Sequence, residues 1–375
     1  MTTATGKKSN ARANRSDDAR PSEKLSDEQL LQMLYDMMLI RRFEERAMQS
    51  YMQQKIGGFC HIYIGQEAVA VGTVATVRPD DPIITAYRDH GHALARGMHP
   101  DYCMAEMFGK ITGCAKGKGG SMHMFDRPNE MYGGHAIVGG QCPLGVGLGF
   151  AIQYQKLDRV CLCYLGDGAL NQAAFHEAMN LAAIWKLPVL FVLENNMYSM
   201  GTHIERGTSA AHDLSKKAAA YDMRYAECDG MSVTEVYDCF VDQVARARPV
   251  DGDPDNSEGP ALINVVTYRY QGHSMSDPQK YRTREEVGEK QNEDPITTLS
   301  RQLMDQQRAT QEQLNELDGK AKQAVRDAVK FAEQSPEPDM EELYTDVYNE
   351  PYPPYRKGDL PEMVKKAEGE TSDSR

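Results

Sequence analysis

An unbroken apolar run, Val160-Cys161-Leu162-Cys163-Tyr164-Leu165, has the length of a strand and stops at Gly166-Asp167-Gly168. Continuous hydrophobicity, as opposed to alternation, marks a strand covered on both faces, as in a parallel sheet. Helix formers follow from Ala169 to Trp185, with Phe175, Met179 and Ala182 or Ala183 recurring at three- and four-residue steps. Leu187-Pro188 ends that helix, and Val189-Leu190-Phe191-Val192-Leu193 reads as a second buried strand closing at Glu194-Asn195-Asn196. The strand–helix–strand order predicts two parallel strands lying close together. Cys161 and Cys163 are expected to face opposite sides of the first strand.

The same reading extends along the chain. Ser26-Asp27-Glu28-Gln29 forms a capping box, with Leu25 and Leu30 placed as a hydrophobic staple. It opens a helix through Leu34, Met37, Met38 and Phe43 that ends before Gly57-Gly58. Ile83-Ile84-Thr85-Ala86-Tyr87 reads as a strand, residues 234–247 as a helix and residues 261–268 as one further buried strand. Beyond Asp294 the chain is helical to about Gln334, and Met340 to Tyr348 predicts a short helix. The fold class is α/β, a parallel sheet flanked by helices. Residues 1–24 read as a disordered leader, 25–355 as a single α/β domain with C-terminal helices, and 356–375 as a charged tail.

Composition narrows the classes of partner. A net charge of −13 over 375 residues argues against nucleic acid or an anionic membrane as the main partner. No apolar run has the length of a membrane span. The eight Cys form no CxxC pair, so they read as small buried hydrophobes in a reducing compartment. Bacterial cytoplasm is the expected location. A mitochondrial presequence is disfavoured by Asp17 and Asp18 and by the lack of an amphipathic pattern in the leader.

Chemistry concentrates just past the strand ends, where open α/β sheets bind ligands. Asp167 and Asn196 stand 29 residues apart, each after a predicted strand. One carboxylate and one amide oxygen suit a hard cation such as Mg²⁺. Gly168 permits close approach of a phosphate, and a helix starting at Ala169 would offer unpaired N–H groups to it. Arg88 could clamp phosphate oxygens, with Tyr87 as a donor beside it. Gly117-Lys118-Gly119-Gly120 is not a P-loop, because Thr112 stands where that motif needs Gly. Gly145, Gly147 and Gly149 do not make a dinucleotide fingerprint either, and these glycines read as sites of close helix packing.

Gly166-Asp167-Gly168 followed by Asn195-Asn196 resembles the thiamine diphosphate fingerprint. Glu194-Asn195-Asn196-Met197-Tyr198-Ser199-Met200-Gly201-Thr202, Gly-Gly-Ser-Met-His-Met at 119–124 and Ile137 to Gly145 resemble alpha subunits of the thiamine diphosphate-dependent 2-oxo acid dehydrogenase family, the pyruvate dehydrogenase first component in particular. The resemblance implies thiamine diphosphate and Mg²⁺ as cofactors. It assigns the metal to Asp167, Asn196 and the carbonyl of Tyr198, and the diphosphate to Tyr87, Arg88, Gly166, Gly168, Ala169 and His273. Ala136 and Val138 would lie against the aminopyrimidine, with Ala136 replacing a frequent Gly, and His90 would stand near the cofactor. His61 and His273 are the catalytic candidates, and Asn195 a structural residue of the turn. Ser274 matches a serine phosphorylated in mitochondrial relatives, although the loop is one residue shorter after Pro278.

The implied activity is oxidative decarboxylation of pyruvate, with the acetyl group passed to the lipoyl domain of a dihydrolipoyl acyltransferase core. No second αβα module is visible after the central unit, so the activating glutamate is expected from a beta subunit in an α₂β₂ heterotetramer. Acetoin or branched-chain 2-oxo acid dehydrogenases are the alternative within the family. A non-catalytic Mg²⁺–nucleotide module or a scaffold are the alternatives outside it.

Overall fold

Among the described residues eight strands are formed: β1 (Ile83–Ala86), β2 (Met131–His135), β3 (Cys161–Gly166), β4 (Val189–Asn195), β5 (Tyr198–Ser199), β6 (Thr202–His203), β7 (Arg224–Asp229) and β8 (Ala261–Val266). The structure, a computed structural model, describes residues 19–347. The predicted leader up to residue 18, Tyr348 and the charged tail lie outside the described residues. Two compact units are present, one ending at Pro336 and one starting at Glu337. The first holds the sheet and the site. In the second, a 3₁₀ turn, Met340–Tyr344, stands where an α-helix was expected.

Six strands form one parallel sheet in the order β2-β1-β3-β4-β8-β7, and β5 with β6 makes a small antiparallel hairpin. Tyr164, Val192 and Ile263 sit in register across β3, β4 and β8. The continuous apolar runs are explained by cover on both faces. Leu162, Tyr164, Leu190, Val192 and Ile263 enter one core with helices Asp27–Met52, Glu67–Val74 and Val233–Ala247. Cys161, Cys163, Leu165, Phe191 and Leu193 enter a second core with helices Gln141–Tyr154 and Ala173–Ile184.

Cys161 and Cys163 therefore share a face, against expectation, because residues two apart on a strand point the same way. The capping box at Ser26 and Gln29 is formed, with Leu25 and Leu30 buried beside it. Gly145 and Gly149 do permit close packing: a Cβ on Gly145 would meet Cys163 Sγ at 2.9 Å, and one on Gly149 would meet Val189 at 2.3 Å.

Two strands of the parallel sheet escape the hydrophobic pattern. β2 reads Met-Tyr-Gly-Gly-His, and its glycines hide it. β7 is a half-exposed edge strand, Arg-Tyr-Ala-Glu-Cys-Asp, which lacks an apolar run. Two sheet strands thus follow the central unit where one was expected, and both join the same sheet. The helix after β3 also starts later. Asp167–Asn171 is a 3₁₀ turn, Gln172 is extended, and the α-helix begins at Ala173 and not at Ala169.

The winding sets off in opposite directions on the two sides of β1. The chain steps outward from β1 to β2, then returns to set β3 on the other side of β1. Such a reversal opens a crevice at the carboxyl ends of β1 and β3. At the opposite edge, Asp81 is fully buried and accepts from Arg248 at 2.6 and 3.0 Å, from the Val160 amide at 2.9 Å and from the Arg78 amide at 2.7 Å. Removing one partner strands a buried charge, so Asp81→Ala is expected to cost about 3–5 kcal/mol. Urea unfolding checks this, and an unchanged midpoint would contradict it.

Candidate functional site at the carboxyl edge of the sheet

Each central strand delivers residues to one cavity of about 770 Å³. Tyr87 and Arg88 follow β1, Ala136 and Val138 follow β2, and Gly166 to Ala169 close β3. Asn196 and Tyr198 follow β4, while Arg269 and His273 come from the loop after β8. His61 completes the lining from the segment before helix Glu67–Val74. Every residue singled out for cofactor, metal or catalysis thus faces one space. His90 does not. It is buried behind the wall, with Nδ1 3.0 Å from Glu44 and Nε2 2.9 Å from both the carbonyl and the hydroxyl of Ser121. Burial disfavours its charge, but Glu44, with Asp89 and the Ser121 carbonyl, raises its pKa. Asn195 is structural: its side chain donates to Asn264 at 3.1 Å and accepts from the Met197 amide at 3.2 Å.

Asp167 and Asn196 meet across the crevice. Asn196 Nδ2 lies 3.5 Å from Asp167 Oδ1, and Ser199 Oγ donates to Asp167 Oδ2 at 3.2 Å. Burial raises the pKa of Asp167, while Arg269 pulls it the other way. Met197, at φ 69°, turns the chain so that the β5–β6 hairpin folds back over Gly168. A Cβ on Gly168 would stand 2.7 Å from Ser199 Oγ, so a side chain there would have to displace Ser199. Among the described residues no cluster of three or more His, Cys, Asp or Glu could hold a metal. A cation at Asp167 would therefore need neutral oxygens and ligand oxygens to complete its shell.

Two buried guanidinium groups dominate the electrostatics. Arg88 donates to the carbonyls of Ile62 and His273, each at 2.7 Å. Arg269 donates to Asn196 Oδ1 at 3.2 Å and to the Gln271 carbonyl at 3.0 Å. Neither forms an ion pair with a carboxylate among the described residues. Burial, then repulsion from Arg269, pushes the pKa of Arg88 down to about 10. Beside them His61, Tyr87 and His273 cluster, with ring centroids 4.6, 5.2 and 5.7 Å apart. Burial and Arg88 push His61 down to about 2, and burial, Arg88 and Arg269 push His273 to about 3. Three buried polar atoms of the lining, His61 Nδ1, Gln66 Oε1 and Gln141 Oε1, have no hydrogen-bond partner among the described residues.

Sequence reasoning passed over Arg269, Ser199, Glu194 and Gln141. Arg269 carries the signal that picked out Arg88, a basic residue just past a buried strand. Glu194 is hidden by its place at the end of β4, where it accepts from the Tyr63 hydroxyl and lies 3.3 Å from His92 Nε2. Asp277 shapes the His273 loop by accepting from the His273 amide at 2.7 Å, the Gln279 amide at 2.9 Å and the Tyr281 hydroxyl at 2.8 Å. In the ligand-free chain both cavity imidazoles are expected to stay neutral from pH 8 to pH 5. Histidine Cε1–H NMR shifts test this; a midpoint near 6.5 for either ring would contradict it.

The chain matches the family described as Dehydrogenase E1 component over residues 35–341. It is 46% identical over 332 residues to a "Pyruvate dehydrogenase E1 component subunit alpha" of Rickettsia felis, covering 88% of this chain and 99% of the relative. A protein of the same name from Rhizobium meliloti is 45% identical over 351 residues, 91% of this chain and 99% of the relative. The mitochondrial protein of that name from Sminthopsis macroura is 43% identical over 327 residues, 87% of each chain. With a parallel sheet, a crevice at its reversal point and near-full-length similarity in agreement, this chain belongs to the dehydrogenase E1 component family.

Proposed function

We propose that this chain is the alpha subunit of a pyruvate dehydrogenase E1 component. It acts with a beta subunit to decarboxylate pyruvate oxidatively and pass the acetyl group to a lipoyl domain of the acyltransferase core. The relatives carry the pyruvate dehydrogenase name, which does not favour the acetoin or branched-chain alternative. The observation that carries the cofactor reading is the pair of buried guanidiniums, Arg88 and Arg269, lining one cavity without a carboxylate ion pair. Such a site is complementary to a multiply charged anion.

Thiamine diphosphate with Mg²⁺ fits the lining. Arg88, Tyr87 and His273, with the backbone at Gly166, Gly168 and Ala169, would hold the diphosphate. Asp167, Asn196 and the carbonyl of Tyr198 would hold Mg²⁺, whose charge offsets the burial that raises the carboxyl pKa of Asp167. Ala136 and Val138 would contact the aminopyrimidine through their backbone. The orphaned oxygens of Gln66 and Gln141 and Nδ1 of His61 are groups that a polar ligand would satisfy.

When bound, the cofactor supplies the carbanion that adds to the 2-oxo acid and the sink for the electrons left by CO₂. The chain's own residues orient, exclude water and manage protons. His61 and His273, kept neutral by burial and by Arg88, can each donate from one ring nitrogen and accept at the other. An α₂β₂ assembly would place the activating glutamate of the beta subunit over the open side of this cavity.

Reconstitution with a candidate beta subunit tests the reading. Mg²⁺ and thiamine diphosphate are both expected to be required for acetyl transfer from pyruvate, with pyruvate preferred to acetoin or 3-methyl-2-oxobutanoate. Arg88→Met should weaken cofactor binding by roughly 1.5–3 kcal/mol, on the order of 10- to 100-fold, as a charge-assisted contact is lost. Calorimetry showing unchanged affinity, or activity persisting after chelation and cofactor removal, would contradict the assignment.

A further inference from the structure

The Gly-rich stretch at 113–120 resembles a phosphate loop but closes on the chain's own carboxylate. Glu106, at the end of helix Pro100–Met107, is fully buried. Its Oε2 accepts from the amides of Ala115 at 2.7 Å and Gly117 at 2.9 Å. Its Oε1 accepts from the amides of Gly119 at 2.7 Å and Gly120 at 3.0 Å. Successive backbone N–H groups converging on one anion make a nest, and here the anion is built in. The close approach requires glycine: a Cβ on Gly113 would stand 2.4 Å from Glu106 Oε2.

The segment leaving this loop, Ser121 to Met124, ties three walls of the cavity together. Ser121 Oγ accepts from the His61 amide at 3.2 Å and lies 2.9 Å from His90 Nε2. His123 Nδ1 donates to the Gly134 carbonyl at 2.9 Å, two residues before Ala136. The Met124 amide donates to Asp89 Oδ2 at 2.7 Å, next to Arg88. Met122, between them, lines the cavity itself. None of these four residues is held in a helix longer than the 3₁₀ turn Gly120–Met122, so their placement depends on the loop before them.

We infer that Glu106 is a positioning residue for the cofactor site. Its carboxylate fixes the 113–120 loop, and through Ser121, His123 and Met124 that loop sets the spacing between His61, Arg88 and Ala136. The inference rests on the thiamine diphosphate reading, because those three residues are assigned to that ligand.

Calorimetric titration of the complex with its beta subunit by Mg²⁺–thiamine diphosphate tests it, with pyruvate kinetics alongside. Glu106→Ala should weaken cofactor binding roughly 10- to 100-fold, the range seen when a supporting partner behind a ligand-binding residue is removed. Turnover at saturating cofactor should stay within about threefold, since Glu106 touches no reacting group. Glu106→Gln, whose amide oxygen can still accept two of the four N–H groups, should fall between. Asp81→Ala, destabilised at the far edge of the sheet, should bind the cofactor as the wild type does. Unchanged affinity in Glu106→Ala, or a loss matched by Asp81→Ala, would overturn the positioning role. If Glu106→Ala does not fold, wild-type affinity in Glu106→Gln overturns it and reduced affinity supports it. A wild-type complex that binds no thiamine diphosphate would instead bring down the cofactor reading on which this one stands.

Discussion

Two guanidinium groups are held out of water beside one another with no carboxylate ion pair, and this constraint organises the site. Burying an unpaired charge costs several kcal/mol in general, so the surrounding chain must supply compensating dipoles. It does so from separate segments: the carbonyls of Ile62 and His273 for Arg88, and the Gln271 carbonyl and the Asn196 side-chain oxygen for Arg269. Neutral acceptors orient the charges without cancelling them. Burial, reinforced by these guanidiniums, keeps the neighbouring imidazoles uncharged. An entering anion would complete the balance that the fold leaves open.

The sheet decides where this happens. Parallel strands bring all their carboxyl ends to one edge, and the reversal of winding between β1 and β3 leaves that edge uncovered at its centre. Arg88 stands at one lip and Asp167 at the other, with Asn196 one strand further on. The buried Asp81–Arg248 pair works at the opposite edge, so stability and chemistry are placed at different ends of the same strands. The hairpin over Gly168 and the loop gathered on Asp277 close the sides of the crevice.

Much of this was legible because both-face burial leaves an unmistakable run of apolar residues. β3, β4 and β8 were visible for that reason, and with them the polar residues that follow each strand. β2 and β7 were not, since glycines or an exposed edge position remove the hydrophobic signal while tertiary pairing still makes the strand. The 3₁₀ turn at Asp167 was missed because Ala169-Leu170-Asn171 has ordinary helix propensity, and only the extended Gln172 separates it from the true helix. Arg269 was readable by the rule that found Arg88 but stood in a loop with a more conspicuous histidine. Glu106 was beyond reach: nothing in the sequence announces that the amides of the following Gly-rich stretch converge on it.

On the proposed function, the crevice would hold one divalent ion between the tips of β3 and β4, with a diphosphate against Arg88. A crystal of the complex with its beta subunit, soaked with thiamine diphosphate and Mn²⁺ in place of Mg²⁺, tests it through anomalous scattering. A single manganese peak against Asp167, Asn196 and the Tyr198 carbonyl is expected, with the diphosphate density beside it. Manganese elsewhere, or a diphosphate bound away from Arg88 and His273, would contradict it.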